Sequence, residues 1–278
     1  EDAQVTGSVL TNDSDDDAGD ALTVSAIRTG NTGATGSAGT VGTALTGIYG
    51  TLTLQSNGSY TYAADQSVAD GLSKTSSAQD IFTYTIQDSQ QTPDQAALVF
   101  TISGINDIPV AINDNASLNQ QTTVTKTVSQ GLVANDSDLD LDTLTITAIR
   151  TGTETGSGSE GTVGTALTGT YGTLTLQSDG SYTYVADQAA ASALSLNVDG
   201  VDHFTYTISD GTVVDQGKLS LTVTGLNDAP TVTSPIADQA AYTDIPLTLN
   251  TATAFTDVDG DTLSYSATLN GSALVEGD

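Results

Sequence analysis

Aspartate recurs at close spacing in three segments of the chain, and these segments carry the residues most able to do chemistry. The three sets are Asp13, Asp15, Asp17 and Asp20; Asp136, Asp138, Asp140 and Asp142; and Asp257, Asp259 and Asp261. Alternate residues of an extended loop can direct carboxylates and backbone carbonyls into one concavity. Ca2+ accepts about six to eight hard oxygen ligands at loose geometry. The spacing therefore predicts a calcium-binding loop in each segment.

An Asn-Asp pair precedes two of these loops and extends the predicted sites. The pairs are Asn106 with Asp107 and Asn227 with Asp228. Each pair lies between a Gly and a Pro, directly after a run of alternating apolar residues. We expect the first pair to meet the loop at 136–142 and the second to meet the loop at 257–261. The predicted sites are therefore junctional or strand-capping calcium sites.

An EF-hand, a zinc site and a set of solvated turns fit the acidic loops less well than calcium at a junction. Gly260 stands too early in its loop for an EF-hand, and no Glu closes that loop. Zinc is disfavoured because the chain has one His and no Cys. Solvated turns are the simplest alternative, since Asp, Asn and Gly are favoured there by local hydrogen bonding. Recurrence beside an Asn-Asp pair favours calcium, with Asp88, Asp114 and Asp210 as weaker candidate ligands.

The composition narrows the partners and the compartment. Five Lys and Arg residues stand against 34 Asp and Glu residues, a net charge of −29. Such a surface repels phosphate backbones and anionic lipids, so neither nucleic acid nor a membrane is an expected partner. Divalent cations, abundant outside cells, would offset the self-repulsion. The sequence contains no Cys, no apolar run long enough to cross a membrane and no signal peptide. We therefore expect it to be an excerpt of a longer extracellular chain.

Short runs of apolar residues that alternate with Thr and Ser predict half-buried antiparallel strands. Examples are Leu22, Val24 and Ala26; Phe82, Tyr84 and Ile86; and Leu98, Phe100 and Ile102. The dipeptides Asn57-Gly58 and Asp179-Gly180 predict type I′ hairpin turns. The fold class is therefore predicted to be all-β, built from antiparallel β-sandwiches.

The connections between these strands are predicted from their composition. Residues 29–48 and 151–170 are rich in Gly, Thr and Ser and are expected to form long exposed loops. A short helical turn is expected within 63–80 and again within 186–202.

The sequence is a tandem repeat of domain size. Residues 50–62, Gly-Thr-Leu-Thr-Leu-Gln-Ser-Asn-Gly-Ser-Tyr-Thr-Tyr, return at 172–184 with Asp in place of Asn. The two stretches begin 122 residues apart (172 − 50). A repeat with so long a period is a whole domain rather than one solenoid unit. The predicted domains are 1–108, which lacks an N-terminal strand; 109–229; and an incomplete domain at 230–278.

Several of these strings resemble the VCBS repeat. They are Gly-Thr-Tyr-Gly-Thr-Leu-Thr-Leu-Gln-Ser-Asp-Gly-Ser-Tyr-Thr-Tyr at 169–184, Phe-Thr-Tyr-Thr-Ile-Ser-Asp-Gly at 204–211 and Gly-Leu-Asn-Asp-Ala-Pro at 225–230. The tail at 255–265 resembles the start of a dystroglycan-type cadherin-like domain. The resemblance implies tandem Ig/cadherin-like sandwiches in an elongated array, within large bacterial surface or biofilm adhesins of the RTX type. It also implies calcium at interdomain junctions, held by the Asn-Asp pairs and the Asp loops.

The leading functional hypothesis is a calcium-stiffened extender of a secreted adhesin, whose partners are calcium ions and the neighbouring repeats. One alternative is a module that binds cell-surface glycans or proteins through the loops at 29–48 and 151–170, with Tyr49 or Tyr171. Another is a subunit of an extracellular filament joined by strand complementation. Catalysis ranks last, since no nucleophile elbow or acid-base pair stands out.

Overall fold

The fold was analysed in a computed structural model, which describes residues 4–17, 19–240, 242–251, 253–269 and 272–273. Its regular structure is almost entirely β, and the predicted all-β class is confirmed. The chain divides into two compact units. Unit 1 comprises Glu1–Ile108 with Asp138–Thr143, and unit 2 comprises Pro109–Ser137 with Leu144–Asp278. Among the described residues, no helix has the length and apolar character needed to cross a membrane.

Unit 1 contains two antiparallel sheets of four strands. The strands are β1 (Gln4–Ser8), β2 (Thr23–Thr29), β3 (Ala38–Gly39), β4 (Ala44–Thr46), β5 (Thr51–Leu54), β6 (Ser59–Ala63), β7 (Ser77–Gln87) and β8 (Pro93–Ser103). One sheet has the order β1-β6-β5-β4 and the other β3-β2-β7-β8. Apolar side chains from both sheets form one buried cluster that includes Leu52, Tyr62 and Phe82. Alternation along the strands therefore creates a sandwich core.

Unit 2 repeats this arrangement and adds one strand. Its strands are β9 (Asp114–Asn119), β10 (Thr123–Lys126), β11 (Thr145–Thr151), β12 (Glu160–Gly161), β13 (Ala166–Thr168), β14 (Thr173–Leu176), β15 (Tyr182–Val185), β16 (Asp199–Ser209) and β17 (Val214–Thr224). The sheets have the orders β10-β15-β14-β13 and β12-β11-β16-β17-β9. β9 pairs with β17 in parallel, whereas the other neighbours are antiparallel. The core includes Leu174, Tyr184 and Leu221.

The remainder of unit 2 holds four short strands. They are β18 (Thr231–Val232), which pairs with β19 (Phe255–Thr256), and β20 (Thr268–Leu269), which pairs with β21 (Ser272–Ala273). Among the residues of this region whose burial the structure describes, Ala254 is the buried apolar one, at 3% exposure. Parts of the predicted incomplete domain, including residues 274–278, lie outside the described residues.

A β-bulge changes which residues of β2 face the core. The alternation predicted that Leu22, Val24 and Ala26 share the buried face. The register with β7 shifts between Val24 and Ala26, so Val24 and Ile27 are buried while Ala26 is exposed. An extra residue in one strand reverses the side that every later residue faces. The same shift recurs in β11.

The two predicted hairpins form, but their turns are not type I′. Gly58 has a φ of 82°, whereas Asn57 is not among the residues with positive φ. Type I′ needs positive φ at both central residues. Instead the Gln55 N–H donates to the Ser59 carbonyl (2.8 Å), and a single left-handed Gly closes the longer loop. Gly180 repeats this conformation at the same φ of 82°.

The predicted connections are partly corrected. Residues 29–48 hold β3 and β4, and residues 151–170 hold β12 and β13, so these stretches are not wholly loop. Strands of two or three residues are too short to display an alternation. The helical turn within 63–80 is confirmed as α1 (Ser67–Asp70), whereas 186–202 holds hydrogen-bonded turns before β16 and, in the part of the chain described, no helix.

Candidate metal centre

Three aspartates of the segment Asp138–Thr143 converge in unit 1. Asp138, Asp140 and Asp142 each offer a carboxylate oxygen within 4.8 Å of the others. Asp138 is only 8% exposed, and its Oδ1 accepts the Asp142 N–H at 3.2 Å. Its Oδ2 is buried and has no hydrogen-bond partner. A buried, unsatisfied carboxylate oxygen is costly unless a cation or a donor reaches it.

Asp140 holds this segment against the body of unit 1. Its Oδ1 accepts the backbone N–H of Lys74 at 2.6 Å, and its Oδ2 accepts the backbone N–H of Asp107 at 2.7 Å. Both hydrogen bonds are charge-assisted, which makes them stronger than neutral ones. We refer to this pair of bonds as the Asp140 clamp.

Asp107 adds a second unsatisfied oxygen beside the clamp. Its Oδ2 is buried without a hydrogen-bond partner. Burial raises the pKa of Asp107, and the nearby carboxylates of Asp140 and Asp138 raise it further. Lys74 supplies one positive charge through an ion pair with Asp142, and its Nζ also donates to Asn106 Oδ1 at 3.0 Å. Buried orphan oxygens amid several carboxylates are a donor set that fits a hard divalent cation.

Unit 2 contains an equivalent clamp around Asp259. Its Oδ1 accepts the N–H of Leu196 at 2.5 Å, and its Oδ2 accepts the N–H of Asp228 at 2.6 Å. Asp257 Oδ1 accepts the N–H of Asp259 at 2.9 Å. Asn227 donates its side-chain amide to the carbonyl of Asp228. Asp257, Asp259 and Asp261 do not converge as a three-carboxylate group in the described part of the chain.

The first acidic loop is divided between two environments. Asp15, Asp17 and Asp20 converge within 4.8 Å, and Asp20 Oδ2 is buried without a hydrogen-bond partner. Asp13 instead accepts the hydroxyl of Tyr84 at 3.0 Å. Burial, followed by this hydrogen bond, raises the pKa of Tyr84 to about 12.

Asp136 likewise lies apart from the Asp138 group, in a second cluster within unit 2. Its Oδ1 accepts the N–H of Ile112 at 2.7 Å, and its Oδ2 is buried without a partner. The Tyr206 hydroxyl donates to Asp114 Oδ2 (3.0 Å) and Ile112 O (2.9 Å). Burial raises the pKa of Asp136 to about 6, against the lowering effect of the Ile112 N–H, and Asp114 and Asp215 also raise it.

The local spacing of aspartates ranked Asp114 low and did not nominate Asp215. Asp215 lies in β17, far along the chain, and its Oδ2 accepts the N–H of Ala111 at 2.9 Å. No local spacing could reveal it, because only strand pairing brings β17 beside residues 111–114. The two remaining weak candidates, Asp88 and Asp210, accept backbone N–H groups of their own turns.

The raised pKa of Asp136 predicts that the melting temperature of unit 2 depends on pH when a chelator has removed any metal. A carboxyl whose folded pKa lies above its unfolded pKa is destabilising when ionised, so the penalty is present above about pH 6 and is relieved as the pH falls toward 4. Metal-free unit 2 should therefore melt at a higher temperature at pH 5 than at pH 7. Differential scanning calorimetry measures this shift.

Two variants separate this effect from general charge neutralisation. Asp136→Asn should reduce the rise between pH 7 and pH 5. Asp179→Asn should retain it, because the Ser181 hydroxyl lowers the pKa of the exposed Asp179. An unchanged pH dependence in Asp136→Asn would contradict the assignment.

Comparison with known proteins places the chain in a family. The chain is 29% identical over 225 residues to the calcium-binding lectin RapA2 of Rhizobium johnstonii (strain DSM 114642 / LMG 32736 / 3841). The alignment covers 80% of this chain and 90% of that protein. Solved structures with related arrangements include an endo-fucoidan hydrolase of glycoside hydrolase family 107 (17% identity, TM-score 0.27, covering 74% of this chain and 24% of that one). Another is the protocadherin GammaB4 extracellular domain (13% identity, TM-score 0.37, covering 70% and 29%).

These structural scores are too low to support an argument about function, and the chain spans less than a third of either solved protein. The sequence comparison is decisive, because the profile of the bacterial cadherin-like domain matches residues 1–104 and again 106–225. The chain therefore belongs to the bacterial cadherin-like domain family.

Proposed function

We propose that this chain is a calcium-stiffened extender segment of a large secreted bacterial surface adhesin. The observation that carries the proposal is the pair of buried, unpartnered carboxylate oxygens, Asp107 Oδ2 and Asp138 Oδ2. Both lie in unit 1 beside the Asp140 clamp. Asp107, Asp138, Asp140 and Asp142, with Asn106 near them, would hold the ion. Its charge would neutralise carboxylates that otherwise repel one another.

Because of the order of these segments along the chain, metal binding would also stiffen the connection between the two units. The segment Asp138–Thr143 belongs to unit 1, yet Ser137 and Leu144 on either side of it belong to unit 2. A cation that ties this segment to Asp107 therefore restrains the chain connection between the two units. Asp257, Asp259 and Asp261, with Asn227 and Asp228, are proposed to repeat the arrangement in unit 2.

The setting proposed for this chain is the bacterial surface. Extracellular modules bind calcium at about 10⁻⁴–10⁻³ M, so such sites fill outside the cell and empty inside it. We further propose that the repeats are of the VCBS type, with domains at 1–108, 109–229 and 230–278, the last of dystroglycan type. The proposed role is non-enzymatic and serves cell adhesion or biofilm formation. The similarity to RapA2, itself described as calcium-binding, supports this role.

Thermal unfolding with calcium and then with chelator tests the metal. At about 10 mM Ca2+, sites with dissociation constants of about 10⁻⁴–10⁻³ M stabilise the native state by about 1.4–2.7 kcal/mol each. We expect the melting temperature to rise by about 5–15 °C. Asp138→Asn should diminish the rise, whereas Asp94→Asn, an exposed carboxylate of β8, should not. No rise in the native chain would remove calcium from the proposal.

Small-angle scattering tests the stiffening separately. The maximum dimension should be larger and better defined with calcium than with chelator. If calcium raises the melting temperature but leaves the scattering profile unchanged, the ion stabilises the domains without stiffening the chain.

A second candidate is carbohydrate binding by a cavity that recurs in both units. Each cavity measures about 430 Å³. Thr46, Gly47 and Asp80 line the first, and the matching residues Thr168, Gly169 and Asp202 line the second. RapA2 is named a lectin, and these loops are the ones whose composition suggested glycan binding. Tyr49 and Tyr171 pack against the cores instead of lining the cavities. A glycan array without hits would remove this candidate.

A further inference from the structure

A lysine stands at the Asp140 clamp of unit 1, and a leucine stands at the equivalent clamp of unit 2. Lys74 donates its backbone N–H to Asp140, and Leu196 donates its backbone N–H to Asp259. The two residues are 122 positions apart (196 − 74), which is the period of the repeat. Lys74 and Leu196 therefore occupy the same place in the two units, and their side chains distinguish the two proposed calcium sites.

The ammonium group of Lys74 lies among the residues proposed to bind calcium in unit 1. It forms an ion pair with Asp142, and its Nζ donates to Asn106 Oδ1 at 3.0 Å. Of the five Lys and Arg residues, Lys74 alone pairs with a carboxylate within the part of the chain that the structure describes. In a protein with a net charge of −29, this positive charge stands where the field would also draw a divalent cation.

Lys74 satisfies only part of this site. Asp138 is 8% exposed and its Oδ2 is buried without a hydrogen-bond partner, as is Asp107 Oδ2. Buried oxygens of this kind still require a cation or a donor, whereas Asp142 and Asn106 are already held by the ammonium group. The site in unit 1 can therefore use its full set of ligands only if Lys74 gives up those two contacts.

The equivalent place in unit 2 holds an uncharged residue. Leu196 is 47% exposed and brings no positive charge to the site. Asp228 is contacted by a neutral amide, since Gln120 Nε2 donates to Asp228 Oδ2 at 3.1 Å. Gln120 is 3% exposed, and its Oε1 is buried without a hydrogen-bond partner. Amide oxygens are among the ligands that calcium accepts, so this side chain supports binding in unit 2 without opposing it electrostatically.

We propose that Lys74 competes with calcium for Asp142 and Asn106, so that the site in unit 1 fills at a higher calcium concentration than the site in unit 2. This inference rests on the proposed function, because it assigns a regulating residue to the same sites. An ammonium group a few ångströms from the ligands repels a divalent cation, and the charge of the ligand set tunes calcium affinity. The two midpoint concentrations should differ at least about tenfold.

Separate filling makes stiffening a graded response to calcium. Unit 2 responds first, and Lys74 sets the higher concentration at which the segment Asp138–Thr143 is tied to Asp107. Without calcium, the charge of Lys74 offsets part of the repulsion among the carboxylates of unit 1. The same side chain therefore stabilises the metal-free site and weakens its affinity for the metal.

A calcium titration of the full chain, followed by amide exchange, tests the order of filling. The Asp107 N–H reports on unit 1 and the Asp228 N–H on unit 2, because each donates to the clamp of its own unit. We expect exchange at Asp228 to slow at a calcium concentration at least about tenfold below the one needed at Asp107. The same midpoint at both amides would overturn the proposal.

Exchanging the two residues assigns the difference to Lys74. Lys74→Leu should lower the midpoint measured at Asp107 at least about tenfold, and Leu196→Lys should raise the midpoint measured at Asp228 by a similar factor. Lys126→Leu removes the same charge from β10 and should leave both midpoints unchanged. Native midpoints in both Lys74→Leu and Leu196→Lys would refute the competition.

Thermal unfolding separates competition from a purely structural role. In chelator, Lys74→Leu should lower the melting temperature of unit 1, because the neighbouring carboxylates lose their counter-ion. In excess calcium the variant should be at least as stable as the native chain. An equal loss of stability in chelator and in calcium would show that Lys74 is only a structural counter-ion and would overturn the proposal.

The titration also distinguishes this inference from the proposed function. If neither amide of the native chain responds to calcium, the proposed function fails and the competition fails with it. If both amides respond but the exchanged residues shift neither midpoint, the competition alone fails.

Discussion

Replacing Asp202 with alanine should lower the free energy of unfolding of unit 2 by about 4 kcal/mol or more. Asp202 is 3% exposed. Its Oδ1 accepts the N–H of Thr170 at 2.7 Å, and its Oδ2 accepts the N–H groups of Tyr171 (2.9 Å) and Gly172 (3.1 Å) and the hydroxyl of Tyr184 (2.7 Å). Alanine would leave four donors without their acceptor. Urea unfolding followed by circular dichroism measures the loss.

The internal repeat supplies a matched test of the same prediction. In unit 1, Asp80 accepts the N–H groups of Ile48, Tyr49 and Gly50 and the hydroxyl of Tyr62. Asp80→Ala should therefore destabilise unit 1 by a similar amount. Asp187→Ala is the control, because Asp187 is exposed and accepts only the side chains of Thr173 and Gln188 among its described contacts. A loss below about 1 kcal/mol in Asp202→Ala would show that water satisfies the freed donors.

The buried Asp202 also explains why position 169 is a glycine. An added Cβ at Gly169 would lie 2.4 Å from Asp202 Oδ2, closer than real Cβ atoms approach. Gly47 meets Asp80 in the same way, at 2.3 Å. The loop can wrap the carboxylate only because neither position carries a side chain. The anchor and the glycine therefore form one structural device, which each unit uses once.

Replacing Asp140 with alanine should release the segment Asp138–Thr143 from unit 1. The clamp consists of two charge-assisted hydrogen bonds to the N–H groups of Lys74 and Asp107, and their loss should cost about 2–3 kcal/mol. Amide exchange at Lys74 and Asp107 should then accelerate by about 30- to 140-fold, since about 1.4 kcal/mol corresponds to a factor of ten. The response to calcium should also diminish, because Asp140 belongs to the proposed ligand set.

Two further variants define this result. Asp142→Asn removes a partly exposed ion pair with Lys74. It should therefore change amide exchange at Lys74 far less than Asp140→Ala does. Asp259→Ala should release the equivalent clamp in unit 2 and accelerate exchange at Leu196 and Asp228. If exchange at Lys74 and Asp107 is the same in Asp140→Ala and the native chain, the clamp contributes no stability.

The sequence by itself determined the kind of elements and their repetition. Alternating apolar residues predict strands because a strand places successive side chains on opposite faces, a rule that needs no tertiary information. The near-identical stretches at 50–62 and 172–184 predict two like units, since like sequences meet the same local rules. The spacing of the aspartates grouped Asp136, Asp138, Asp140 and Asp142, of which the last three converge.

Only the tertiary structure decided which residues meet across long distances in the chain. Asp80 and Asp202 lie among strand residues whose alternation cannot show that a distant loop will cover them. The bulge after Val24 places Ile27 in the core instead of Ala26, because one extra residue reverses the face to which every later side chain points. Strand pairing brought Asp114 and Asp215 to the side of Asp136, and the packing of the segment Asp138–Thr143 within unit 1 made Asp140 a clamp on backbone N–H groups. Each of these depends on the pairing of segments far apart in sequence, which local patterns do not encode.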